Sequence, residues 1–436
     1  MSDTVNLELN LKHLTRVEGH GNLRINVRDG VLERATLDIV ESPRFFEAML
    51  HGRRWDELAQ ITCRICGICS VGHTTASLRA TEAALEITPS EQTVLLRKLM
   101  LHAEFIQSHV LHAYFLAAPD YFGVGSVFPL VETHKDVVLR ALRMKKSAND
   151  ACARLAGRHV HPIAMVVNGF ARIPTRADLE AIRADFTVTI EDARETVKLF
   201  ETLTPPQFTR ETEYISLKKD GEYALYDGDI YSSTGKRVPG ERYREMTNEH
   251  LVDHSTAKHT RAAGESFMVG ALARVNNSWD LLSDGAKEAG GRLGLGKPPV
   301  HNPYAITFAQ VVEIVHCLED ALSILESLQR TGLRQEDRSV RMRAGRGVGA
   351  VEVPRGILYH EYELDSNGLC LKANCVIPTG QNLANIDLDL RARVPQILDR
   401  PREEIVKDLE MLVRAYDPCI SCSTHFLDVE FTDGGS

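Results

Sequence analysis

Residues 63–73 read CRICGICSVGH, and residues 417–425, near the other end of the chain, read DPCISCSTH. In the first stretch Cys66 and Cys69 stand three apart, with His73 four further on. If the segment is helical, all three point one way. In the second stretch Cys419, Cys422 and His425 follow at successive three-residue intervals. Four thiolates and two imidazoles are soft to borderline ligands, suited to zinc, nickel or iron rather than to magnesium or calcium. A centre shared by both stretches requires a fold in which the two ends of the chain meet at one buried place. Two zinc knuckles in a structural scaffold protein are the plain alternative, although zinc ribbons usually set their pairs roughly 15–20 residues apart. An iron–sulfur cluster on Cys63, Cys66 and Cys69 would match the opening of a ferredoxin run, but that run ends on a Cys-Pro pair and the chain has none.

Outward from these stretches, the 436 residues are 43% hydrophobic and 25% charged, which excludes disordered, collagen-like and fibrous classes. The net charge of −9 and the lack of a long basic tract argue against nucleic acid as a partner. No apolar run approaches the roughly 18 residues that cross a bilayer, and MSDTVNLELNLKHLTRVEGHG has no signal-peptide layout, so a cytoplasmic chain without a membrane span is expected. Nine cysteines, an odd number, do not suggest a secreted disulfide framework, and five of them fall in the two groups above.

Residues 22–40 predict two strands around Arg28-Asp29-Gly30. Ser90 caps a long helix through EQTVLLRKLMLHAEFIQSHVLHAYFL, apolar on almost every face. Further helices are predicted at 133–156, at 176–202 behind Thr175-x-x-Asp178, at 307–330 and at 402–416. Residues 205–306 look more irregular, with short strand-like pieces and Gly/Asp-rich turns, and a second hairpin fits 349–377 through the Asp365-Ser366-Asn367-Gly368 turn. The expected fold is mainly α (α+β): a large central helix bundle with peripheral β-hairpins, in a single domain over 1–436 with no linker or repeat.

The two cysteine motifs, with Arg16-Val17-Glu18-Gly19-His20, Pro43-Arg44-Phe45-Phe46-Glu47, Val353-Pro354-Arg355-Gly356 and Cys375-Val376-Ile377-Pro378-Thr379 in order between them, resemble the large catalytic subunit of NiFe hydrogenases. The resemblance implies reversible heterolysis of dihydrogen at a nickel–iron centre. Cys66 and Cys419 would be terminal on nickel, and Cys69 and Cys422 would bridge it to an iron carrying one carbon monoxide and two cyanides. Cys419 would accept the first proton and Glu18 would pass it outward, although on composition alone Glu18 reads as a surface carboxylate. Arg355 would lie over the open side of the metals, held by Asp417 and by Asp120. Thr379 would donate to a cyanide, Pro378 would help dry the pocket, and His73 would hydrogen-bond a bridging thiolate. Glu47, the Cys375 backbone carbonyl and His425 would hold a magnesium ion.

The remaining cysteines, Cys63, Cys152, Cys317 and Cys370, are too scattered to wire electrons out of the chain. The resemblance therefore implies a small subunit carrying iron–sulfur clusters. Within the family the wording is most like the cytoplasmic bidirectional or sulfhydrogenase branch, with further subunits passing electrons to NAD(P) through a flavin or to ferredoxin. It also implies that a maturation protease removes 426–436. The respiratory NADH dehydrogenase quinone-site subunit is a non-catalytic relative that lacks the nickel cysteines, all four of which are present here.

Overall fold

The computed structural model of the protein describes residues 6–264 and 266–424. Ser90 accepts the Thr93 amide at 3.0 Å and so starts helix Glu91–Val110, which is buried on most sides and runs on as a π-helical turn over Leu111–Ala117. Helices Lys135–Ala156, Arg176–Glu201 and Ile306–Thr331 close a ring of four with it, each packed on the next. The Thr175–Asp178 pair forms a complete capping box at the start of the second of these. This is the central bundle that the sequence predicts. Among the described residues no helix is long and apolar enough to cross a membrane.

The first hairpin forms as expected from Gly21–Arg28 and Val31–Ile39, and Leu7–Leu11 adds a third antiparallel strand. Asp29 and Gly30 both take positive φ, the geometry of a two-residue turn that matches strand twist. The second hairpin is a correction. What reads as one long arm is two strands, Gly345–Val353 and Gly356–Leu364, closed by the tight Pro354-Arg355 turn, with Cys370–Val376 as the third. Proline ends the first strand because it cannot extend the ladder, and Gly356 supplies a φ of 139° for the return.

Residues 205–306 hold the short strands expected there and, beyond that expectation, helices Ala271–Ser278 and Asp284–Arg292. The second of these, DGAKEAGGR, has weak intrinsic helicity and rests on packing against Ile306–Thr331. Helix Pro378–Arg393 was likewise unforeseen, since its buried residues lie on most sides and leave no amphipathic period.

One contact places the site. Gly345, Gly347 and Gly349 share one face of their strand, and they meet the backbone of Ala84, Ala80 and Ala76, spaced four apart on helix Ser70–Leu85. A Cβ on any of the three glycines would overlap an alanine carbonyl oxygen. Gly347→Ala is expected to lower stability by about 2–3 kcal/mol in urea unfolding. Gly291→Ala, in a helix with open space around it, should be neutral or stabilising.

Candidate metal centre

Segment 63–69 is not the helix that would align its cysteines. Cys66 is extended after the 3-10 turn Cys63–Ile65, and Cys69 caps helix Ser70–Leu85. The loop before the helix curls the two cysteines together, with the Cys69 amide donating to Cys66 Sγ at 3.4 Å. Cys419 precedes the single turn Ile420–Ser423, which carries Cys422. Cys66 and Cys419 Sγ lie 3.5 Å apart, and Cys419 and Cys422 Sγ lie 2.8 Å apart, longer than the ~2.05 Å of a disulfide. The ligand atoms of Cys66, Cys419 and Cys422 fall within 4.8 Å of one another, as do those of Cys69, His73 and Cys422. Cys422 is thus common to two buried groups of potential ligand atoms, consistent with a bimetallic site.

Both chain ends are clamped around this point. Arg44 Nη2 donates to the Ile65 carbonyl at 2.5 Å and to the Ser421 carbonyl at 2.6 Å, tying one cysteine loop to the other. Glu18 pairs with Cys419 in a parallel bridge; its carbonyl accepts the Ile420 amide at 2.9 Å and its Oε2 accepts the Ser421 amide at 3.1 Å. Gly19, at φ +87°, permits this approach, because a Cβ there would lie 2.7 Å from Ile420 Cβ. Pro378 and Thr379 open helix Pro378–Arg393, and Thr379 Oγ1 accepts the Cys419 amide at 3.0 Å.

Arg355 sits at the tip of its turn, buried, donating from Nε to the Asp417 carbonyl at 2.6 Å and from Nη2 to Asp417 Oδ1 at 2.8 Å. Burial opposes its charge, but Asp417 and the Cys419, Cys69 and Cys66 sulfurs outweigh it and hold the guanidinium pKa well above its ordinary value. Its Nη1 has no hydrogen-bond partner among the described residues. Asp120 does not share this duty. It pairs with Arg414, at 2.8 Å to both Nε and Nη2, and with Arg16 Nη2 at 2.5 Å, because these two cations reach its carboxylate.

Glu47 Oε1 accepts the Cys375 amide at 2.7 Å, so two of the three residues expected at magnesium are neighbours. The third, His425, lies outside the described residues, as does 426–436. His73 Nδ1 is 3.1 Å from His360 Nε2, and His360 Nδ1 is 2.7 Å from the Tyr362 hydroxyl, a buried chain leading away from the sulfurs. The sequence offered no motif for His360 or for Arg44's bridging role. Nor did it offer one for Arg274, which donates to the Val353 and Pro354 carbonyls at 3.0 and 2.9 Å and so fixes the turn carrying Arg355.

The donor set decides which group fits. Hydrogen bonds from Cys419, Cys422 and Cys69 hold the Cys66 thiol well below its ordinary range, while burial and neighbouring sulfurs push Cys422 well above it. Burial disfavours charge on these thiols, so ionising all four requires cations among them. Soft sulfur ligands in a buried pocket suit zinc, nickel or iron.

A buried four-cysteine pocket beside a helix bundle, with a fixed guanidinium close to it, defines a metal-binding protein. Residues 44–137 and 207–425 match the family described as nickel-dependent hydrogenase. The chain is 36% identical over 425 residues to the alpha chain of sulfhydrogenase 1 from Pyrococcus furiosus, covering 96% of this chain and 98% of that one. It is 31% identical to a chain of the F420-non-reducing hydrogenase from Methanothermobacter marburgensis, over 97% of this chain and 95% of that one. The structure of an NAD+-reducing NiFe hydrogenase in its H2-reduced state superposes with a TM-score of 0.88 at 27% identity, over 97% of this chain and all of that one. The chain belongs to the nickel-dependent hydrogenase family, as a large catalytic subunit.

Arg274 serves two buried carboxylates unequally, with Nε and Nη2 both donating to Glu313 and Nη1 alone donating to Glu352. Burial, only partly offset by Arg274, raises the Glu352 pKa from 4.5 to about 7. The folded chain therefore retains a proton that the unfolded chain releases, and stability falls as pH rises through that window. Between pH 5 and 7 the wild type should lose up to about 3 kcal/mol from this group. Urea unfolding across that range should show a flatter slope in Glu352→Gln.

Proposed function

We propose that this chain catalyses reversible heterolytic oxidation of dihydrogen, with Cys66 and Cys419 terminal on nickel and Cys69 and Cys422 bridging to iron. The observation that carries the reading is the sharing of Cys422 between two buried ligand groups drawn from both ends of the chain. Nickel and an iron carrying carbon monoxide and two cyanides would be held by these cysteines and would supply an electron-accepting centre for dihydrogen cleavage. The chain's own residues handle the proton. Cys419 Sγ takes it first, and the Glu18 carboxylate, held beside Cys419 by backbone pairing, passes it outward. Arg355, fixed by Asp417, keeps a positive charge over the reacting side and needs no rearrangement to do so.

Thr379 accepts the Cys419 amide through its oxygen, which leaves its hydroxyl proton for a cyanide; Pro378 keeps the neighbouring wall dry. His73 hydrogen-bonds a bridging thiolate, with His360 orienting its ring. Glu47, the Cys375 carbonyl and His425 hold a magnesium ion, a hard-oxygen set completed by waters.

Electrons leave through the iron–sulfur clusters of a small subunit. NAD(P), by way of a flavin subunit, is the favoured acceptor because the superposed NiFe hydrogenase is NAD+-reducing, with ferredoxin as the alternative. The complex is read as cytoplasmic, the chain as one large-subunit domain, and 426–436 as a segment cut off by a maturation protease.

Purified enzyme should contain nickel and iron near one each per large subunit beyond the clusters of its partner. Infrared spectra should show the stretches of iron-bound diatomics. Zinc in place of nickel would indicate the scaffold reading, and neither metal a non-catalytic relative or an immature apoprotein. Cys419→Ser should abolish hydrogen oxidation, and Glu18→Gln should slow hydrogen/deuterium exchange by about 10²-fold or more. Exchange at the wild-type rate in the Gln variant would remove Glu18 from the proton path.

A further inference from the structure

Hairpin Asn248–Val252 and Ser255–Arg261 carries three histidines, His250, His254 and His259. His250 and His259 are cross-strand partners, and His254 lies in the turn; a bulge between Ser255 and His259 breaks the regular alternation of side chains. The hairpin packs on helix Pro378–Arg393, which presents Asp387 to it. Asp387 is eight residues beyond Thr379, about 12 Å along the helix axis from the residue that touches the cysteine cluster.

His254 Nε2 lies 3.0 Å from Asp387 Oδ2. The rings of His254 and His259 stand at 90° with centroids 5.3 Å apart. One ligand atom from each of His254, His259 and Asp387 falls within 4.8 Å of the others. Asp387 Oδ1 accepts the Leu37 amide at 2.8 Å, which orients the carboxylate and turns Oδ2 toward the rings, as hydrogen-bonded ligand carboxylates are oriented in metal sites. His259 is only 3% exposed, yet its Nε2 has no hydrogen-bond partner among the described residues, and neither has the buried Nδ1 of His250. Buried polar atoms without partners are rare and call for an explanation. For His259 a cation shared with His254 and Asp387 supplies one.

We propose that His254, His259 and Asp387 form a binding site for a divalent zinc-class cation, separate from the four-cysteine centre. Two imidazoles and a carboxylate suit a borderline metal, and the part-exposed side of His254 leaves room for water as a fourth ligand. Ligand atoms in a tetrahedral zinc site sit roughly 3.3 Å apart, so the 3.0 Å His254–Asp387 separation needs only a small opening to admit the ion. Bound there, the cation ties the hairpin to helix Pro378–Arg393 and, through Asp387, to strand Val31–Ile39.

The test uses the intact complex with its small subunit, dialysed against EDTA and titrated with zinc chloride by calorimetry. Wild type is expected to take up one zinc per large subunit while retaining its nickel and iron. His254→Ala, on the accessible turn, and Asp387→Asn should each weaken that event at least about tenfold. Cobalt(II) in the same site should give the intense visible bands of a four-coordinate centre in wild type, lost in both variants. Hydrogen oxidation should be unchanged in His254→Ala. Failure of wild type to bind zinc, or equal binding by wild type and His254→Ala, would overturn the proposal.

Discussion

The closest approach between helix Ser70–Leu85 and strand Gly345–Val353, glycine against alanine with no side chain between, sets the distance on which the site depends. Cys69 caps the start of that helix, and the Pro354-Arg355 turn follows the end of that strand. Because both elements are regular, their separation is transmitted to the two ends where the chemistry sits. Glu104 reinforces the helix start, accepting the Val71 and Gly72 amides at 2.7 and 3.0 Å from a fully buried position. Burial pushes its pKa well up, despite those two bonds. A side chain inserted between helix and strand would therefore shift the guanidinium relative to the sulfurs as well as cost packing.

Charge is the second constraint. Arg355 and Asp417 form a nearly water-free pair, and taking two ions out of water costs several kcal/mol apiece before their attraction is counted. Such a pair is poor value as a stabilising device and makes sense as a means of holding one cation in a fixed place. Arg274 repeats the pattern one layer out: it is shared between Glu313 and Glu352, and it grips the backbone of the turn that carries Arg355. The result is a nested arrangement in which each buried cation is oriented by carboxylates and each carboxylate has more than one donor.

Much of this was legible in the sequence wherever a local rule applied. Ser90, Thr175 and the Asp29-Gly30 turn act within a few residues of themselves, so their reading needs no tertiary information. The cysteine motifs were legible because ligand chemistry is restrictive, while the loop that carries Cys66 ahead of the helix starting after Cys69 was not. The Pro354-Arg355 turn was hidden because β-forming residues run on both sides of it. The role of Arg44 was hidden because its two acceptors, Ile65 and Ser421, become neighbours only after folding. His254 and His259 meet Asp387 through a hairpin register that spacing alone does not specify.

Asp120 shows how a wrong partner in the sequence reading points to a coherent design. Its carboxylate binds Arg16, two residues before Glu18, and Arg414, three residues before Asp417. Arg16 also donates to the Leu116 carbonyl at 2.6 Å, in the π-helical turn where the bundle helix loses its regular ladder. One carboxylate on the bundle therefore anchors both the segment that brings Glu18 to Cys419 and the segment that brings Asp417 to Arg355. The two segments also meet directly, where Glu18 pairs with Cys419 and where Arg414 donates to the Thr15 carbonyl at 3.3 Å. Asp120 adds a common fixed point on the bundle, and together these contacts let residues from opposite ends of the chain keep one geometry.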